Sequence, residues 1–247
     1  MFAPRGGFYA QPLSTFGNNM LLPGNASQFV SKAGTTNLVT WKATTGFTIE
    51  YWGYWTTFFG NINGGPGNQD GSGTNYWSFG PITGGMIEFY FWSPGQTYFN
   101  TATGAVSLNT WTNICAVFTT SGTTTTASIY INGVRQNIQI SKTGAFASTQ
   151  TTTAGAVSAS TVFGMGKYGT PMTGYVNNLR ASNINRYSGA SYTLATESFV
   201  SDSNTQILIQ PTGAAGTTIP YQSTAGDGNM TNATNLATVT TTRANHT

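Results

Sequence analysis

Six carboxylates, one thiol and one imidazole make up nearly all the chemistry-bearing side chains of this 247-residue chain. Glu50 and Glu88 sit singly in two apolar-rich segments, and Asp70 lies in a glycine-rich stretch. Retaining hydrolysis of a glycosidic bond needs two carboxyls about 5–5.5 Å apart. No two acids of this sequence are close enough along the chain to form such a pair locally. Cys115 lies in the apolar run Trp-Thr-Asn-Ile-Cys-Ala-Val-Phe, and His246 is the next-to-last residue. A thiol nucleophile needs a base beside it, so Cys115 is expected to be a small buried hydrophobe. A different chemistry is offered by Glu88, Tyr90 and Trp92, which alternate at the period that puts side chains on one face of a strand. Aromatic bodies with polar neighbours suit sugar faces, and Trp52 and Trp77 could widen such a platform.

The elements that would position these groups are strands. Phe47, Ile49 and Tyr51 alternate with Thr48, Glu50 and Trp52; Ile87, Phe89 and Phe91 alternate with Glu88, Tyr90 and Trp92. Ile114, Ala116 and Phe118 follow the same rule, and Ile129 and Ile131 lead into Asn132-Gly133, a hairpin-turn dipeptide. No window holds a helical period. Many short strands joined by glycine-rich connections predict an all-β antiparallel sandwich of about a dozen strands over residues 28–210, with helix confined to a turn near 181–187.

Composition narrows the function classes. Charged residues are only 6%, against roughly 25% in ordinary soluble domains. Aromatics at 13% argue against disorder. A surface of Thr, Ser, Asn and Gly repels its neighbours weakly, which fits a protein held in a fixed assembly. The nine basic residues are scattered, so neither nucleic acid nor an anionic membrane is an expected partner. No segment approaches the roughly 20 apolar residues of a membrane-spanning helix. Residues 1–27 carry Phe2, Phe8, Tyr9, Leu13 and Phe16 without a strand or helix period. They are expected to form an arm that buries these groups on a neighbour or on its own domain. Residues 211–247 are Thr, Gly, Asn and Ala with few apolar anchors and are expected to be an extension of the domain.

Three phrases in order, Gly-Phe-Thr-Ile-Glu-Tyr-Trp at 46–52, Ile-Tyr-Ile-Asn-Gly-Val at 129–134 and Gly-Tyr-Val-Asn-Asn-Leu-Arg-Ala-Ser at 174–182, resemble the laminin-G-like branch of the concanavalin A-like β-sandwich family. Trp111 to Phe118, Asn185-Arg186-Tyr187 and Thr205 to Ile209 are similar to further phrases of its phage and bacterial surface modules. The resemblance implies a jelly-roll sandwich that binds or assembles rather than catalyses. The glucanase members' Glu-x-Asp-x-x-Glu strand is missing, and the usual Asp-Glu pair is Asn177-Asn178. Many relatives bind calcium, which wants several oxygen ligands including carboxylate. Here Asp70 is the one candidate, and no metal or cofactor is expected. The leading expectation is a structural protein of a virion surface, a capsid decoration or tail component, partnered by other virion subunits and by copies of itself. The alternative is a lectin-like module that attaches to host-surface glycans through Glu88, Tyr90, Trp92, Trp52 and Trp77.

Overall fold

The computed structural model describes residues 19–23, 30–33, 46–58, 60, 63–68, 76–92, 96–153, 162–165, 170–171, 173–210, 218–222, 228–232 and 239–240. Among these residues there are twenty strands and no helix. They are β1 (Asn19–Pro23), β2 (Val30–Ala33), β3 (Phe47–Thr57), β4 (Asn63–Gly64), β5 (Gly67–Asn68), β6 (Tyr76–Ile82) and β7 (Met86–Trp92). Next come β8 (Gln96–Thr101), β9 (Thr112–Ser121), β10 (Thr124–Ile131), β11 (Val134–Arg135), β12 (Ile138–Ile140) and β13 (Gln150–Thr153). The series closes with β14 (Val162–Met165), β15 (Thr170–Pro171), β16 (Thr173–Ser182), β17 (Thr205–Ile209), β18 (Thr218–Gln222), β19 (Gly228–Asn232) and β20 (Val239–Thr240).

Two antiparallel layers enclose the core. One runs β13-β10-β9-β3-β16-β17, the other β5-β6-β7-β8-β12. The alternation read in the sequence sets their inner faces: Phe47, Ile49, Tyr51, Ile114, Ala116 and Phe118 from the first layer meet Phe79, Ile87, Phe89, Phe91 and Phe99 from the second. Ring contacts tie the layers together, Phe89 to Phe118 at 4.4 Å and Tyr51 to Phe79 at 5.9 Å. Tyr51 Oη also donates to the Phe79 carbonyl at 3.0 Å, so a phenol deep in the core is satisfied by the opposite layer.

The layers are parts of one curled sheet. Pairing continues from β17 through β18, β19, β2 and β14 to β5, giving eighteen linked strands, while β4 and β15 make a separate parallel pair. This bears on three expectations. The expected dozen or so strands are sixteen among the described residues of 28–210, four of them only two residues long. The boundary between residues 1–27 and the sandwich does not follow the pairing: Asn19–Pro23 already lies against β16, and Met20 is fully buried in the core. The extension 211–247 contributes β18, β19 and β20 to the same ladder. Strands with few apolar side chains can still join a sheet, since their backbone groups pair whatever the side chains are. Phe2, Phe8, Tyr9, Leu13 and Phe16 lie outside the described residues.

Two local features follow their residue types. Asn132 (φ 48°) and Gly133 (φ 77°) make the two-residue turn between β10 and β11, a left-handed pair that Asn-Gly adopts readily. The Asn132 carboxamide oxygen accepts the Asn113 backbone N–H at 2.9 Å, fixing the turn to β9. Asn178 (φ 49°) stands at the register shift between β16 and β3, a conformation in which Asn is enriched. Its oxygen accepts the Phe199 N–H at 2.9 Å. The turn of helix expected at 181–187 is absent; Ala181 and Ser182 end β16 and the chain continues through a bend at 183–184.

Candidate functional site

The outer face of the first layer is partly covered by the chain itself. After β16, residues 183–204 form a strap across β3, β9 and β10. Thr48 Oγ1 donates to the Ile184 carbonyl at 2.7 Å and accepts the Arg186 N–H at 3.0 Å. Tyr130 Oη donates to the Gly189 carbonyl at 2.9 Å, and Tyr192 Oη to Asn113 Oδ1 at 2.6 Å. The strap's backbone is thus bonded both to side chains of the sheet and to its backbone, as where Tyr192 N–H donates to the Gly133 carbonyl at 2.8 Å.

Beneath the strap lies a closed ionic and aromatic cluster. Glu50 on β3 stands opposite Arg180 on β16, and Arg180 Nη2 and Nε donate to Glu50 Oε1 at 2.6 and 3.0 Å. Tyr187 Oη donates to the other oxygen, Oε2, at 2.9 Å. Burial pushes the Glu50 carboxyl above its ordinary range, with Arg180 and Tyr187 opposing the shift. Tyr187 and Tyr192 stack at 3.8 Å over Cys115 and Tyr130. Cys115 is fully buried, and burial together with the neighbouring Glu50 charge raises its thiol well above the usual value. A protonated, covered thiol is a packing group, as expected. At the strap's far end Arg186 holds Asp202 through two bonds of 2.9 and 2.8 Å. Its bonds to Arg186 hold that carboxyl well below the usual range. Asp202 therefore contributes stability above its unfolded pKa of about 3.9 that fades as pH falls.

Just beyond the strap the same face carries three half-exposed aromatic rings. Trp111 leads into β9, Tyr54 lies on β3 and Tyr175 on β16, with Tyr54 and Tyr175 directly opposite in register. Tyr54 is 5.7 Å from Trp111 and 5.8 Å from Tyr175, and Trp111 and Tyr175 approach to 6.4 Å. Since β9 and β16 flank β3, the two outer rings lean together over the central one. The next row inward is Asn113, Trp52 and Asn177, all buried. The next residues outward are Asn109, Thr110, Thr56 and Thr173, neutral and polar, all exposed except the half-buried Thr173. Gly174, at φ 142°, lets β16 press against the Tyr54 backbone, a contact a Cβ would block. An apolar knob with neutral polar residues on two sides, Leu21 of β1 opposite Tyr175, and no charge among the described residues of its own and the flanking rows is suited to neutral polyhydroxylated ligands. The signal for it was present: Tyr54 continues the outward phase of Trp52, and Tyr175 precedes the inward Val176.

The platform expected from sequence is placed differently. Glu88 and Tyr90 do share the outer face of β7, but both are fully buried. Trp77 points into the core, stacked on Phe89 at 5.4 Å, because its phase on β6 matches Phe79. Trp52 lies on the outer face of the other layer and is only 7% exposed. Trp92 ends β7, and its side chain lies outside the described residues. An open face made of Glu88, Tyr90, Trp52 and Trp77 is thus excluded, since they occupy three different surfaces and all are covered.

The acids are likewise separated. Glu50 and Glu88 face outward from opposite layers with the core between them, so they cannot act as a carboxyl pair. Glu88 is instead bound to Lys142 Nζ at 2.9 Å. Among the described residues no three His, Cys, Asp or Glu side chains cluster for a metal. Asp70 lies outside the described residues.

Comparison with curated proteins finds no match. Among solved structures 36 chains match. One is a native heptameric SAP-like pentraxin from Limulus polyphemus, at 12% identity over 70% of this chain and 79% of that one, with a TM-score of 0.46. Another is a candidate carbohydrate-binding protein from Bacteroides ovatus ATCC 8483, at 16% identity over 95% of this chain, with a TM-score of 0.47. The chain spans 62% of that protein's length. The sequence profile of one family matches residues 26–189, about two thirds of the chain. By that match the chain belongs to the concanavalin A-like lectin/glucanases superfamily.

Proposed function

We propose that this chain is a non-enzymatic carbohydrate-binding module whose sugar site is the Trp111, Tyr54 and Tyr175 cluster, and whose ligand is a neutral glycan. The observation that carries this reading is the partial exposure of three mutually packed aromatic rings beside Asn109, Thr110 and Thr56. Burying such rings against the apolar face of a sugar returns part of the hydrophobic free energy that their exposure forgoes. The uncharged rows on either side favour neutral over acidic glycans.

A second reading, assembly on a virion surface with other virion subunits or copies of this chain, rests on the low charge of 6%. It predicts that residues 1–27 are needed for incorporation and that no glycan competes.

A glycan array on the full chain, followed by calorimetry on any hit, tests the first reading. Trp111→Ala is expected to weaken binding by roughly 30-fold or more, as for an aromatic anchor worth about 2 kcal/mol. Thr153→Ala, on an exposed part of the same layer, should leave affinity unchanged. Undiminished binding by a folded Trp111→Ala protein removes the site. Absence of any glycan ligand, together with association to purified virions that is lost on truncation of residues 1–18, which precede β1, replaces the lectin reading with the assembly one.

A further inference from the structure

On the other side of the sandwich a cation is seated on a buried carboxylate, and the cation is the protein's own. Glu88 is fully buried, and its Oε2 lies 2.9 Å from Lys142 Nζ. The same Nζ stands 4.7 Å from the centre of the Tyr98 ring, so the ammonium is held by a carboxylate and an aromatic face together. Tyr90 packs against Tyr98 with centroids 4.8 Å apart. Lys142 arrives on the turn that follows β12, in which Ser141 (φ 54°) and Lys142 (φ 59°) are both left-handed. Neither residue type is at ease there. The turn is docked by the Ser141 N–H donating to the Tyr98 carbonyl at 2.9 Å and by the Lys142 contacts themselves.

Two polar groups on the same face are unused. Asn100 lies directly across from Glu88 in the β7–β8 register, and Ser78 lies across from Tyr90 in the β6–β7 register. Asn100 Oδ1 and Ser78 Oγ are buried without a hydrogen-bond partner. Buried polar atoms are normally satisfied, and each exception calls for an explanation. A carboxylate, a ring face and two spare oxygens on one patch of sheet select a group with several N–H or O–H donors. An ammonium offers three. Lys142 is 33% exposed while Glu88 is fully buried, so Lys142 lies on the solvent side of this seat.

We propose that the face bearing Glu88, Tyr98, Asn100 and Ser78 is an ammonium-recognition site, filled in the resting protein by Lys142, whose external ligand is a primary ammonium on a hydroxylated frame, as in a free amino sugar. The incoming ammonium replaces Lys142 on Glu88 and Tyr98, and neighbouring hydroxyls reach Asn100 Oδ1 and Ser78 Oγ. The site is independent of the Trp111 cluster, which belongs to the opposite layer and lacks charge.

Lys142→Met tests this, because it keeps the side-chain stem over Tyr98 and removes only the competing ammonium. Calorimetry on the full chain should show glucosamine binding to Lys142→Met at least about tenfold more tightly than to wild type, a difference of about 1.4 kcal/mol. Glucose should show no gain in Lys142→Met over wild type, and adding Glu88→Gln should abolish the glucosamine gain. A folded Lys142→Met protein that gains affinity for neither glucosamine nor methylammonium overturns the proposal, as does an equal gain for glucose or a gain that survives Glu88→Gln. If Lys142→Met does not fold, wild type titrated with methylammonium decides the matter by NMR. Saturable shifts of the Tyr98 ring signals are expected, and their absence overturns the proposal.

Discussion

Replacing Arg180 with Met is expected to destabilise the protein by about 3–5 kcal/mol at pH 8, the usual cost of stranding one member of a buried ion pair. Glu50 is 1% exposed and the Arg180 side chain 11%, so solvent cannot replace the two guanidinium bonds. Only the Tyr187 hydroxyl would still face the carboxylate. The loss should depend on pH in a defined direction. Burial already raises the Glu50 pKa, and removing Arg180 takes away the main opposing influence. A carboxyl whose folded pKa is raised favours the fold below its unfolded pKa of about 4.3 and loses that contribution as pH rises through the folded value. Arg180→Met should therefore cost most at pH 8 and progressively less towards pH 5, where Glu50 takes up a proton. Urea unfolding at the two pH values measures this. A loss below about 1 kcal/mol at pH 8, the range of an exposed pair, would mean that the strap does not seal the cluster.

Phe89→Ala should cost a similar 3–5 kcal/mol for a different reason, the cavity left where a large core side chain is deleted. The Phe89 ring lies 4.4 Å from Phe118 of the opposite layer, 5.4 Å from Trp77, 5.9 Å from Phe79 and 6.4 Å from Phe47. Its neighbours are themselves large rings fixed on strands, so they cannot collapse to fill the space. The measurement is the urea midpoint at constant slope. Thr153→Ala, exposed on an outer strand, provides the contrast and should stay within about 0.5 kcal/mol of wild type. A Phe89→Ala loss as small as that would contradict the packing of the two layers through this ring.

The core was legible because it depends on a local rule. Phe47, Ile49 and Tyr51, and Ile87, Phe89 and Phe91, alternate with polar or amphipathic residues, and a pleated strand turns that alternation directly into two faces. Asn132-Gly133 announced its own turn because its backbone preference is intrinsic to the dipeptide. The outward phase was also correctly read: Glu50 and Glu88 both leave the core on opposite layers. What alternation could not reveal is which outward residues are then covered. Tyr90 and Tyr54 have the same signature, an aromatic on the outer phase of a long strand. One is fully buried beside Tyr98; the other is left half-exposed with Trp111 and Tyr175.

That difference is decided by contacts between residues far apart in sequence. The strap at 183–204 shields Glu50, Cys115 and Tyr130 through bonds that span 59 to 137 residues of chain and stops short of Tyr54. The turn carrying Lys142 caps Glu88 from 54 residues away. The strands Asn19–Pro23 and Thr218–Gln222 join through backbone pairing, which side-chain pattern scarcely records. The sequence by itself determined the fold class, the inner faces of the long strands and the superfamily, because each follows from short-range periodicity and turn chemistry. Only the tertiary structure decided where the aromatic surface lies, because exposure is set by what the rest of the chain leaves uncovered.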